Sequence, residues 1–268
     1  MARARLATSA TAGTPRSRVR GAAATAPPRD RAPALGWLGR YLANTRDPAT
    51  SALAVLPLVL LYGVGIAFAS EHARSGVDIV SPPLRASLSR HGYLAVQLGL
   101  AAVIAGWAAW RLRGAFTGRL ALTAPIVAES SLYGVTLGGV ILFVLDKAHL
   151  LAVAAGASAT SSPLFDRAVA ASGSGLYEEL LFRLLLLTLV GVALQRAFNV
   201  PRWLGVSAAI ALSSLVFAAA HHIAGEPLDL YAFAYRTVAG TIFAGLFLAR
   251  GFAVAAWTHA AYDFYVMG

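Results

Sequence analysis

The sequence predicts an all-α fold: a polytopic bundle of about seven membrane-crossing helices, with an eighth crossing left open at 146–174. Three observations carry this. Hydrophobic residues make up 58% of the 268, and charged residues only 13%, where a soluble domain carries roughly a quarter charged residues. The mean hydropathy is +0.66. The apolar residues also come in blocks, most of them near the ~20 residues a helix needs to cross about 30 Å of hydrocarbon.

Taken in order, residues 1–46 hold Ala, Thr, Pro and nine arginines without apolar periodicity. They read as a disordered basic tail. A signal peptide is not expected, because no apolar core follows the first arginines. Residues 47–268 read as one membrane domain. Its spans are Ala49–Ser70, Tyr93–Trp110, Ala121–Leu145, Gly175–Leu194, Trp203–His222, Leu230–Ala249 and Phe252–Met267. The last is short, which suits a helix partly covered by its neighbours. Between them, 146–174 is apolar at first and then small and polar, with Pro163. It reads as a surface or re-entrant segment.

The net charge of +10 would suggest nucleic acid in a soluble protein. Here it reads as topology, and no nucleic-acid partner is expected. With seven crossings and the N-terminus inside, fifteen Lys/Arg fall on inner segments and five on outer ones, with Arg183 and Arg236 inside spans. That bias places the N-terminus in the cytoplasm and the C-terminus outside. An eighth crossing at 146–174 would turn the later loops around. The richness in Ala, Arg and Gly suggests a bacterial inner-membrane protein. There are no cysteines, which excludes disulfides, thiolate catalysis and Cys-based metal sites.

Ionisable groups within a bilayer cost some 2.5–3.5 kcal/mol each on insertion scales, roughly, and usually mark function. The spans hold Glu129, Glu178, Glu179, Arg183, His221, His222, Arg236, His259 and Asp263. Under the topology above, Glu178 and Glu179 lie in the first turn of their helix. His221 and His222 end theirs, Arg236 lies in the outer third of its own, and His259 and Asp263 fall in the middle-to-outer part of the last. Four helices thus bring polar groups to one level, near the outer face. Glu179 and Arg183 are four apart, share a helix face and can pair, which low dielectric makes close to obligatory. Glu178 is rotated by roughly 100° from Glu179, so one carboxylate can be paired while the other faces a cavity. Arg236 could face a substrate carboxylate or pair with an acid such as Asp263. Glu129 could reach Arg183 or line a cavity.

Three motifs carry a resemblance. Glu178 and Glu179 are followed by Leu-Leu-Phe-Arg183. Phe217 is followed by Ala-Ala-Ala-His221, and His259 by Ala-Ala-Tyr-Asp263. In that order, each on its own membrane helix, they resemble the CPBP family of membrane proteases, which includes the CAAX prenyl-protein endopeptidases and bacteriocin-processing proteins. The likeness covers about 175–267. It implies a helical glutamic-type intramembrane endopeptidase without metal or other cofactor. Glu178 and His221 would activate a water, and His259 with Asp263 would hold the oxyanion. The chemistry agrees: an apolar pocket makes a carboxylate a stronger base, and peptide hydrolysis needs donors aimed at the developing oxygen charge. The last motif position is often asparagine in the prenyl endopeptidases. An ionised Asp263 cannot donate, so it would either be protonated or orient and charge His259, and the second role is preferred.

The expected partners are the bilayer and a membrane-anchored protein or peptide, with a C-terminal sorting tail preferred and a bacteriocin or signalling peptide second. Rival readings stay open. Glu178, His221 and His259 could ligate zinc, though no His-Glu-x-x-His is present. The stretch 171–175 lacks the Gly-x-Ser-Gly of rhomboid-like serine proteases, and Asp263 lacks the Gly-x-Gly-Asp partner of the aspartyl ones. A proton-coupled transporter, or a non-catalytic scaffold or immunity protein, would also use buried Glu and His.

Overall fold

The computed structural model describes residues 36–70, 73, 75, 77–148, 163–223 and 229–267, and these are helical with no strand among them. The all-α fold class is borne out. Residues 36–268 form one compact unit. The expected tail 1–46 lies mostly outside the described residues. Its end does not: a helix, α1, covers Trp37–Thr45, and exposes Trp37 and Leu38 while Tyr41 is buried. Such a short helix with an apolar outer side suits the membrane interface.

The remaining elements are α2 (Pro48–Gly65), α3 (Ser81–Ser87), α4 (Arg90–Leu112), α5 (Phe116–Leu120), α6 (Thr123–Lys147), α7 (Leu164–Gly173), a π-helix over Ser174–Leu187, α8 (Thr188–Arg196), α9 (Arg202–Ile223), α10 (Leu230–Arg250) and α11 (Phe252–Val266). Among the described residues, five helical segments are long and apolar enough to cross a membrane: Pro48–Gly65, Arg90–Leu120, Thr123–Lys147, Arg202–Ile223 and Leu230–Arg250. Asp47 caps α2, its carboxylate accepting from Thr50 N at 2.9 Å with Pro48 in the first turn, a combination that starts helices well.

Two corrections concern the helix that bears Glu178. It does not begin at Gly175. α7, the π-helix and α8 run on without a break from Leu164 to Arg196, so Glu178 sits roughly 20 Å along the axis rather than in the first turn. The part of 146–174 that is described is therefore helix from Leu164 onward, with Val169, Ala171, Ser172 and Gly173 buried. Residues 149–162 lie outside the described residues. The small residues that look like a loop allow close packing instead. A Cβ at Gly175 would meet the Ala256 carbonyl and stand 2.8 Å from Ala260 N.

α11 is the central helix. It packs against α2, α6, α7, α10 and the π-helix, and Ala253, Val254, Ala255, Ala256, Thr258, His259 and Ala260 are all buried. Without a hydrophobic drive between helices in lipid, small side chains that let backbones approach hold such a bundle. Trp257 Nε1 donates to the Ala54 carbonyl at 2.7 Å and ties α11 to α2. The turn into α11 needs Gly251, whose φ is +94° and where a Cβ would lie 2.5 Å from the Thr45 carbonyl. That backbone region is essentially closed to other residues. Because the α11 backbone cannot retreat, Gly175→Val should cost about 3 kcal/mol through overpacking. A lowered melting temperature of the detergent-solubilised protein, read by circular dichroism, checks this. Unchanged melting would mean that the two helices are not in contact.

Candidate active site

Four helices meet at one buried cluster. Glu178, Glu179 and Arg183 come from the π-helix, and all three are buried, as is His259 of α11. π-helical turns are rare and concentrate at functional sites. Here the wider turn coincides with the stretch where Glu178, Glu179, Phe182, Arg183 and Leu187 all face inward.

The centre of the cluster is a chain of three groups. Arg183 Nη1 lies 3.1 Å from Glu179 Oε1, and the same oxygen lies 2.8 Å from His259 Nδ1. An ionised carboxylate can only accept, so Nδ1 carries the proton and donates it. Arg183 Nη2 donates to the Gly240 carbonyl of α10 at 3.3 Å. Its guanidinium carbon lies 4.3 Å from the Phe217 ring centroid and 5.3 Å from that of Phe243, so aromatic faces replace water around the cation. Phe243 also stacks on His259, centroids 4.4 Å apart. The ring of His259 is thereby held by a carboxylate at one edge and an aromatic face.

The geometry around Asp263 differs from the expected one. The carboxylate within hydrogen-bonding distance of His259 is that of Glu179, not Asp263. Asp263 Oδ2 stands 3.7 Å from the other ring nitrogen, Nε2, beyond hydrogen-bonding distance. Sequence spacing favoured the pair on one helix, whereas the tighter contact comes from another.

His259 Nε2 also stands 3.7 Å from Glu178 Oε2, and His221 Nε2 of α9 stands 3.8 Å from the same oxygen. Glu178 Oε2 is buried without a hydrogen-bond partner among the described residues. Each gap is too long for a direct bond, and short enough for one water to touch both ends. His221 is oriented by the chain itself. Its Nδ1 lies 3.0 Å from the Phe217 carbonyl, which only accepts, so Nδ1 donates and the acceptor nitrogen of the neutral tautomer is the Nε2 that faces Glu178.

The structure therefore brings together Glu178, Glu179, Arg183, His221, His259 and Asp263. It places the other candidates elsewhere. Glu129 does not reach Arg183. It pairs with Arg250 at 2.7 Å and accepts from Tyr133 at 2.8 Å and Tyr41 at 2.5 Å, which ties α1 and the end of α10 to α6. Burial, with the hydrogen bond to Glu129, pushes the Tyr41 hydroxyl up to about 12, so it stays a donor. Arg236 is half-buried on α10. His222 stacks on Phe233, centroids 5.9 Å apart. Among the described residues, no group of three or more His, Asp or Glu is arranged to hold a metal ion. Two contributors were missed in the sequence, Phe243 and the Gly240 carbonyl. An ordinary Gly and Phe in an apolar span give no signal of their own.

Fold and site define a polytopic helical membrane protein with a carboxylate–imidazole centre buried among its helices. Residues 160–265 match the family model described as Rce1-like, Type II CAAX prenyl endopeptidase Rce1-like. The resemblance to the CPBP family is borne out over that region, where the chain is similar to the CAAX-type prenyl endopeptidases. No curated protein and no solved structure gives a match.

Proposed function

We propose that this protein is a glutamic-type, metal-independent endopeptidase that cuts a peptide bond in a membrane-anchored protein or peptide. The observation that carries this is the buried, unpartnered Glu178 Oε2, faced by the Nε2 atoms of two histidines at 3.7 and 3.8 Å. A water between Glu178 and His221 donates one hydrogen to each acceptor and keeps a lone pair for attack. As its oxygen bonds to the scissile carbonyl carbon, its proton passes to Glu178. The carbonyl oxygen becomes an oxyanion, which His259 stabilises when its Nε2 carries a proton as well as Nδ1. Glu178 then returns the proton to the leaving nitrogen as the C–N bond breaks. Glu179 fixes the ring and Arg183 balances Glu179. Asp263 adds negative charge beside the imidazolium, and Arg236 is the candidate contact for a substrate carboxylate.

The richness in Ala, Arg and Gly supports a bacterial inner-membrane location, and the distribution of basic residues supports an inner N-terminus and a site toward the outer side. His221 lies in the last turn of α9, which agrees with a site nearer one face. That side suits a protein held by a membrane segment, with a C-terminal sorting tail as the preferred substrate. Comparing protein termini across the envelope of cells carrying wild type or Glu178→Gln at equal abundance tests the reading. A set of termini that vanishes in the variant supports it and names the substrate. Identical sets count against hydrolysis and favour a scaffold or transporter. Because Asp263 lies beyond bonding distance of His259, Asp263→Asn should keep the rate of substrate cleavage within about tenfold. A full loss would restore Asp263 to the orienting role.

A further inference from the structure

A cavity of about 720 Å³ lies on the side of the π-helix away from the cluster. Its walls are apolar: Val55 and Val59 of α2, Leu100 and Ile104 of α4, Leu180 and Leu184 of the π-helix. It follows α2 from Pro48 to Gly63, roughly 22 Å. That exceeds half of the ~30 Å hydrocarbon core. An unfilled apolar cavity destabilises a fold in proportion to its volume. In this one nothing acidic or basic from the catalytic cluster takes part, since Glu178, Glu179 and Arg183 are not among its walls.

Its occupant follows from where it opens and what stands at its end. Leu100 is 48% exposed and Trp107 44%. Both line the cavity on a helix that meets the bilayer, so the mouth opens sideways to lipid. One charged side chain lines it, Arg46, beside the turn at Gly251. Arg46 is exposed and donates from Nε to the Ala249 carbonyl at 2.6 Å, which leaves its terminal amino groups without a partner among the described residues. Arg119 adds a second cation close by, bonded to Thr50 Oγ1 at 3.2 Å. The neighbouring acid, Asp47, is engaged with Thr50 N and Oγ1 at 2.9 and 2.8 Å. A long apolar slot that opens to the membrane and ends at an arginine matches one amphiphile: a lipid chain below an anionic headgroup.

We propose that this cavity is a lipid site, holding one acyl chain of an anionic phospholipid whose phosphate pairs with Arg46. The chain fills the space between α4 and the side of the π-helix that carries Leu180 and Leu184. The site is separate from the hydrolytic centre, so it stands whether or not the protein cuts peptides.

Native mass spectrometry of the full chain, exchanged into detergent with added phosphatidylglycerol or phosphatidylcholine, tests the proposal. Wild type and Glu178→Gln should each retain one phosphatidylglycerol per chain. Arg46→Gln should lower that retention at least tenfold, to the phosphatidylcholine level. Val59→Trp, which fills the slot, should remove retention of both lipids. Leu100→Trp on the exposed lip gives the same reading if Val59→Trp fails to fold. The proposal is overturned if wild type retains neither lipid, if it retains both equally, or if neither tryptophan variant lowers retention. It is equally overturned if a cleavable membrane-anchored peptide displaces the lipid one for one, because the slot would then belong to the substrate.

Discussion

Glu178→Gln is expected to lower cleavage of a membrane-anchored peptide by reconstituted protein about 10³-fold, within the range that loss of a positioned general base produces. The substitution keeps shape and volume, so the helices around it should hold. What it removes is the acceptor. Glu178 Oε2 has no partner among the described residues, so an amide there breaks no existing bond and folding should be spared. The variant must therefore melt like wild type while turning over poorly, with kcat falling far more than KM rises. A chelator should leave the wild-type rate unchanged. A wild-type enzyme silenced by chelator and revived by zinc would instead make Glu178, His221 and His259 metal ligands. A Glu178→Gln variant with the wild-type rate would remove the hydrolytic reading of this carboxylate.

Much of the fold was legible because lipid imposes a simple rule: backbone must be satisfied within each crossing segment. Apolar blocks therefore mark helices: each of the seven expected spans falls on helix, and five of them fall on segments that, among the described residues, are long and apolar enough to cross a membrane. The boundaries were less legible where packing, not hydropathy, decides. The run Ala171–Gly175 has the composition of a turn, yet its smallness lets the π-helix lie against α11. α1 was hidden for a related reason: its apolar residues are few and flanked by tail-like sequence. In the site, the chemistry-bearing residues were legible from their cost in a bilayer, while their pairing was only half so. Spacing of four finds partners on one helix, and it found Glu179 with Arg183. It cannot find a contact between helices, so it offered Asp263 for His259 where the fold supplies Glu179 from across the bundle. Glu129 misled for the same reason, its partner Arg250 lying 121 positions away.

Arg183→Met should be the most destabilising single change, by about 3–5 kcal/mol, because it strands Glu179 as a buried charge. Arg183 and Glu179 are both fully buried, so water cannot take over the lost pairing. Methionine fills much of the arginine's volume among Phe182, Phe217 and Phe243, which separates the loss of charge from the loss of packing. The double variant Glu179→Gln with Arg183→Met removes the stranded charge as well, and should regain much of the lost stability. Activity should behave differently. The double variant still lacks the carboxylate that holds His259 Nδ1, so its rate should stay low even where its melting temperature recovers. Melting temperature and turnover measured on the two single variants and the double give the cycle. If stability and activity recover together, Glu179–Arg183 is only a strut, and His259 takes its orientation from Phe243 and the rest of its cage. If stability recovers alone, the pair acts through His259, and an expensive buried charge pair is retained because it aims the imidazole that receives the oxyanion.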